Sequence, residues 1–178
     1  GNLEYLDDWF AKGVRMATLL WNYENELGFP HSREAARMGL GLKPFGKDVV
    51  RRMNELGIII DVSHLSDGGV RDVAELSRKP FVASHSCARA LCDHSRCLSD
   101  DLLRLIGESG GVIGVNFFGI FLRALDSDLA RSSTGLGFDD YTGIPDLAAA
   151  LERYLTPREM DMICSGNALR VMREVWGA

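Results

Sequence analysis

The chain has 178 residues, 46% of them hydrophobic and 25% charged, so it can build a buried core and does not read as disordered. Twenty-five acidic against twenty basic side chains leave a formal net charge of −5, which disfavours a nucleic-acid binder that works by neutralising phosphates. The longest strongly apolar run, Gly110 to Phe121, is too short and too glycine-rich for a bilayer span, so no transmembrane segment is expected.

In chain order, helical and extended patterns alternate. Leu3, Leu6, Trp9 and Phe10 recur at helical spacing as far as Lys12. Gly13 breaks the pattern, and Val14 to Leu20 reads as a strand. Asn22 to about Pro44 is polar and glycine-containing, long enough to suggest a working loop. Phe45, Val49, Val50, Met53 and Leu56 mark one face of a helix stopped by Gly57. Ile58 to Val62 is short, β-branched and continuously apolar except for Asp61, as suits a strand buried on both faces. Val70, Val73, Ala74 and Leu76 lie on a helix from Asp67 to Ser77, and the strand Phe81 to Ser84 follows Pro80. Ser99 is placed to cap a helix ending near Ile106, with Asp100 and Asp101 opposing its dipole. Gly110 and Gly111 lead into the strand Val112 to Phe117.

Helices join the four strand starts, so residues of about 14–117 read as βα units of a parallel sheet in an α/β protein. An irregular segment, 118–143, precedes a helical C-terminus at 144–176. There Thr156 caps a turn with Pro157 in its first position. No basic, apolar leader opens the sequence, and a cytoplasmic location is the expectation. Cys87, Cys92, Cys97 and Cys164 form no C-x-x-C pair and read as free thiols. A sharper alternative is a metal site using Cys87 and Cys97 with His85 and His94, although its spacing fits no common zinc pattern.

In parallel α/β folds the reacting groups gather beyond the strand carboxyl ends. Those positions read Trp21-Asn22, Asp61-Val-Ser-His64, Ser84-His85-Ser86 and Asn116. His64 and His85 thus occupy equivalent ends of consecutive strands, where two neutral imidazoles can meet on one metal ion or serve as buried structural polar groups. Arg96, eleven residues past His85, either takes a substrate carboxylate through its fork or is a solvated arginine before a helix. Asp61, a carboxylate inside an apolar strand, either orients a ligand histidine or faces a loop backbone. His31 and His94 lie in polar loops and are expected to be exposed.

Several segments together resemble the membrane (renal-type) dipeptidase family of zinc metallopeptidases. They are Gly13-Val-Arg-Met-Ala-Thr-Leu-Leu-Trp-Asn22, Pro44-Phe-Gly-Lys-Asp-Val-Val50 and Met53 to Ser66 with its Asp-Val-Ser-His64. Pro80-Phe-Val-Ala-Ser-His-Ser-Cys-Ala-Arg89, Gly111 to Phe117 and Gly166-Asn-Ala-Leu-Arg-Val171 continue the match in order. The resemblance implies a (β/α)₈ barrel of the TIM type with a two-zinc centre that cleaves dipeptides. By the same resemblance His64 and His85 match the two histidine ligands of one zinc, and Arg96 matches the arginine that holds the substrate's terminal carboxylate.

Other family features have no counterpart in the 178 residues. These are the first-strand His-x-Asp pair, the bridging glutamate and the Gly-Ser-Asp-Phe-Asp-Gly strand end with the catalytic aspartate. Gly137-Phe-Asp-Asp140 is superficially similar to the last. The residues Tyr141 to Leu147 that follow match a different family segment, so Asp139 and Asp140 receive no catalytic role. Trp21 stands where many relatives place a substrate-contacting histidine. A barrel of this type takes about 250 residues. The expectation is therefore a single partial barrel domain over 1–178, with dipeptide as substrate and no nucleic-acid partner. It would hold at most one zinc, weakly, with little hydrolysis by this polypeptide alone. The alternative is an inactive remnant that acts through self-association, as a homo-oligomer, or through a partner chain. A cyclic-amide amidohydrolase would call for a His-x-His motif, which does not occur.

Overall fold

The computed structural model describes residues 1–121 and 144–177. Its centre is a sheet of four parallel strands in the order β1 (Met16–Thr18), β2 (Ile59–Asp61), β3 (Val82–Ser86) and β4 (Val112–Val115). Strand order follows chain order, and Met16 pairs with Ile59, Asp61 with Val82, and Val82 with Val112. A β-bulge-like irregularity lies between Ala83 and Ser86 on the β4 side, just where β3 delivers His85 to the strand end.

The helices are α1 (Glu4–Ala11), α2 (Ala35–Met38), α3 (Pro44–Leu56), α4 (Asp67–Leu76), α5 (Asp100–Glu108), α6 (Ile144–Leu151), α7 (Pro157–Asp161) and α8 (Asn167–Trp176). Side chains alternate across a strand, so the two faces of the sheet build two cores. Ile58, Ile60, Val62, Phe81 and Ala83 pack with Val49, Val50, Met53, Val70, Val73, Leu102 and Ile106, which come from α3, α4 and α5. Ile59 and Val82 point the other way and pack against Val171 and Val175 of α8. Both faces of β2 are therefore covered, which explains why its sequence is apolar without alternation.

The βα units agree with the sequence reading in type and order, with boundaries moved by a few residues. β1 is shorter than the expected Val14 to Leu20. Leu19 and Leu20 stay buried but leave the ladder as the chain turns toward the loop. That loop contains the one-turn α2, whose Met38 is buried. Gly57 ends α3 in the left-handed region at φ 75°, with its amide bonded back to Met53 and Asn54 carbonyls. A Cβ there would lie 2.9 Å from the carbonyl oxygen of Val175, so glycine satisfies both the turn and the approach of α8. Thr156 caps α7 as expected, in a full capping box with Glu159. A π-turn, Met162–Gly166, joins α7 to α8. The expected irregular segment 118–143 begins with a 3₁₀ turn, Gly119–Phe121, and its remainder lies outside the described residues, as do Asp139 and Asp140. Among the described residues no helix is long and apolar enough to cross a membrane.

Candidate metal centre at the strand ends

The turn after β2 and the end of β3 bring two imidazoles together. His64 and His85 face each other with their Nε2 atoms 2.9 Å apart and ring centroids 5.0 Å apart. His85 lies within the last part of β3, and His64 stands three residues past Asp61 with φ at 75°. A left-handed conformation is uncommon for a residue with a Cβ and costs on the order of 1–3 kcal/mol. Packing of the long β1–α3 loop holds it: the His31 amide donates to the His64 carbonyl at 2.8 Å, Pro30 bridges Leu65, and the Ser66 amide donates to Phe29 at 3.0 Å.

Asp61 is 1% exposed and accepts four hydrogen bonds. Its Oδ1 takes the backbone amides of Ser63 and Ser84 at 3.0 and 2.9 Å. Its Oδ2 takes the hydroxyls of Thr18 and Ser84 at 2.8 and 2.5 Å. Burial alone would raise the carboxyl pKa, but these donors, Ser84 foremost, outweigh it and hold Asp61 below its ordinary value. Asp61 thus holds the loop amide of Ser63 and the strand amide of Ser84, and through the Ser84 hydroxyl it reaches His85.

The tautomers follow from the partners. An ionised carboxylate only accepts, so the Ser84 hydroxyl donates to Asp61 and is left to accept from His85 Nδ1, 2.7 Å away. His64 Nδ1 lies 2.8 Å from the carboxamide oxygen of Asn22, which also only accepts. These partners favour the Nδ1–H tautomer in both rings and leave the two Nε2 atoms, 2.9 Å apart, to share a proton or a cation. Two nitrogens on one tetrahedral zinc, each at about 2.0–2.1 Å, stand about 3.3 Å apart. The pair is within a few tenths of an ångström of that spacing, and a cation between them would relieve the repulsion of their lone pairs. The donor set fits one ion, with two of its ligands. Among the described residues no group of three or more His, Cys, Asp or Glu is gathered for a metal.

The surroundings keep His64 and His31 neutral. Burial, then the charge of Arg96, then His85 and His31, pull His64 down to about 4, against a smaller opposite effect of Asp61. Burial, Arg96 and His94 bring His31 to about 4 as well. Neutral imidazole is the form that binds metal. An open depression of about 400 Å³ lies over the pair, lined by Thr18, Leu20, Trp21, His64 and His85.

Arg96 is 7% exposed and borders the same place, donating from its guanidinium to the His85 carbonyl at 3.1 Å. Its guanidinium also lies 5.8 Å from the ring of Phe121. Burial pulls its pKa below the ordinary value, with Cys97 and Asp61 opposing. Among the described residues it makes no ion pair, so a buried cation is held without a carboxylate partner next to the histidine pair. Such a charge calls for an anion. The solvated-arginine alternative does not hold.

Two expectations need correction. His31 and His94 are not exposed: both are half-buried and gathered with the pair, His31 with its ring 6.2 Å from His64 and 6.4 Å from His94. The loop packing that brings them in joins residues far apart in sequence and leaves no periodic signal. The Cys87–Cys97–His85–His94 metal alternative also fails among the described residues. The Cys87, Cys92 and Cys97 thiols turn to the carbonyls of Asn116, Ile120 and Phe121.

Parallel βα units with paired histidines at their carboxyl ends are an arrangement on which barrel-type metallohydrolases build their sites. The family model for membrane dipeptidase, peptidase family M19, matches residues 1–133, and the chain belongs to that family. Among curated proteins, it is 34% identical to an uncharacterised protein of Klebsiella pneumoniae encoded 5′ of pqqA, over 96% of this chain and 76% of that one. It is 31% identical to the dipeptidase aclJ of Aspergillus oryzae, over 98% of this chain and 48% of the other. A metallopeptidase from Rhodobacter sphaeroides, crystallised with a phosphinate mimic of the dipeptide L-Ala-D-Ala, superimposes with a TM-score of 0.81 at 29% identity. That match covers 97% of this chain and 59% of that one. The four βα units are part of the TIM-type barrel of these enzymes. The chain spans about half the length of the Aspergillus dipeptidase.

Proposed function

We propose that this chain carries the His64, His85 and Arg96 part of a zinc-dependent dipeptidase centre. The observation that carries the reading is the convergence of the His64 and His85 Nε2 atoms at 2.9 Å, beside a buried arginine that makes no ion pair among the described residues. His64 and His85 would hold one ion. When bound, zinc polarises a scissile carbonyl and acidifies a water. Arg96 would receive the terminal carboxylate of a dipeptide in its fork, and that pairing would both satisfy the buried guanidinium and orient the substrate. Asp61 and Ser84 would keep His85 in the metal-binding tautomer. Family membership and the dipeptide mimic bound to the Rhodobacter relative support the substrate class.

The test is metal content together with hydrolysis of a simple dipeptide. We expect at most one zinc per chain, lost in His64→Ala and in His85→Ala, and slow turnover at best. A chain that binds no zinc at micromolar concentrations would overturn the assignment. Two tightly bound zincs with fast turnover would overturn the half-site description. A second reading, an inactive unit that works by self-association, draws on the open outer strands β1 and β4, each with one strand neighbour among the described residues.

A further inference from the structure

We propose that Asn22 is a positioning residue of this centre: its carboxamide oxygen holds His64 in the Nδ1–H tautomer, and His31 holds that carboxamide in place. The inference rests on the reading of His64 and His85 as ligands of one ion.

Three distances carry it. Asn22 Oδ1 lies 2.8 Å from His64 Nδ1 and 3.4 Å from His31 Nε2. His31 Nδ1 lies 2.9 Å from the Ser95 hydroxyl. A carboxamide oxygen only accepts, so the nitrogens facing it must be the protonated ones. His31 then has its proton on Nε2, and its bare Nδ1 accepts from the Ser95 hydroxyl. The donors run in one direction, from Ser95 to His31 to Asn22, and His64 donates to the same oxygen from the other side.

The consequence for a metal is direct. Free histidine favours the Nε2–H tautomer, which places a proton on the nitrogen that must donate to the ion. Each ring of the pair is turned away from that default by its own acceptor behind it: Ser84, backed by Asp61, for His85, and Asn22, backed by His31, for His64. The string crosses three loops. Asn22 and His31 come from the segment after β1, His64 from the turn after β2, and Ser95 from the loop after β3, next to Arg96. The left-handed turn at His64 belongs to the same arrangement, because the His31 amide fixes the His64 carbonyl from the same side. The two acceptors differ in kind. His85 has a hydroxyl bonded to a carboxylate behind it, and His64 has a neutral carboxamide.

Long-range ¹H–¹⁵N correlation spectra of ¹⁵N-labelled protein report imidazole tautomers, and titration with zinc chloride reports affinity. In the wild-type chain His64 is expected as Nδ1–H. Asn22→Leu is expected to move it to Nε2–H and to weaken zinc about ten- to a hundredfold. Asn22→Asp keeps an acceptor in the same place and is expected to retain the Nδ1–H form with affinity at or above wild type. His31→Phe, leaving the carboxamide loose, is expected to fall between them. Asn22 is solvent-exposed, and circular dichroism checks that each variant folds. An Asn22→Leu protein in which His64 keeps Nδ1–H overturns the inference. A wild-type chain that binds no zinc, while Asn22→Leu still changes the tautomer, overturns the ligand assignment and leaves the role of Asn22 in setting the tautomer intact.

Discussion

At the scale of single residues, Asp61 links the fold to the candidate centre. Its four donors come from β1, from the turn after β2 and from β3, so one carboxylate ties three consecutive βα units at their carboxyl ends. The sequence reading placed a costly charge inside an apolar strand and left two roles open. Distinguishing them needed the partners, and those are backbone amides and hydroxyls that carry no spacing signal. Removing the side chain would leave the buried amide of Ser63 and the part-buried amide of Ser84 without this acceptor, the buried one alone costing about 1–3 kcal/mol. Asp61→Ala is therefore expected to lower unfolding stability by at least about 2 kcal/mol, measured by urea denaturation, whether or not zinc is present. A change within about 0.5 kcal/mol, the range of ordinary surface substitutions, would mean that the carboxylate organises nothing.

At the scale of elements, helices with a clear apolar face were legible because period and caps agree. Val49, Val50 and Met53 of α3 and Val70 and Val73 of α4 are the buried faces the spacing marks. The strands were legible as types but not to the residue, since ladder ends depend on partners in other units. The caps show the same limit in small. Ser99 does occupy the N-cap position of α5 in extended backbone, yet its hydroxyl donates to the Asp101 carboxylate at 2.5 Å and accepts no helix amide. That hydroxyl, with the Arg71 ion pair second, lowers the Asp101 pKa to about 2 from an ordinary 3.8. The native state thus binds fewer protons than the unfolded chain between those values, and stability falls as pH falls through them. The contribution of Asp101 is fully present above about pH 4 and is lost toward pH 2. Thermal melts of wild type and Asp101→Asn should differ at pH 5 and converge at pH 2, and curves that stay parallel throughout would refute the linkage.

At the scale of the whole molecule, the half of the site that was legible is the half built on strand ends. Asn22, His64 and His85 stand at the strand ends that regular βα spacing marks and Arg96 in the loop beyond His85, whereas His31 and His94 enter through loop packing that no period records. The sheet itself raises the last question. In a closed parallel barrel every strand has two neighbours, but among the described residues β1 and β4 each pair with one. The surface near them is apolar for an exposed one: Met16 is 39% accessible, Val115 58% and Phe118 52%. An open parallel edge beside exposed apolar side chains is a template for association. Light scattering of the 178-residue chain should therefore give a mass that rises above 19.6 kDa with concentration. A lysine on the outer strand, Val115→Lys, should lower that mass, because burying its charge in a strand pair is unfavourable and the exposed site tolerates it in the monomer. A monomer at every concentration would show that the open edges are not used in association and would remove the self-association reading, leaving the metal centre to carry the function.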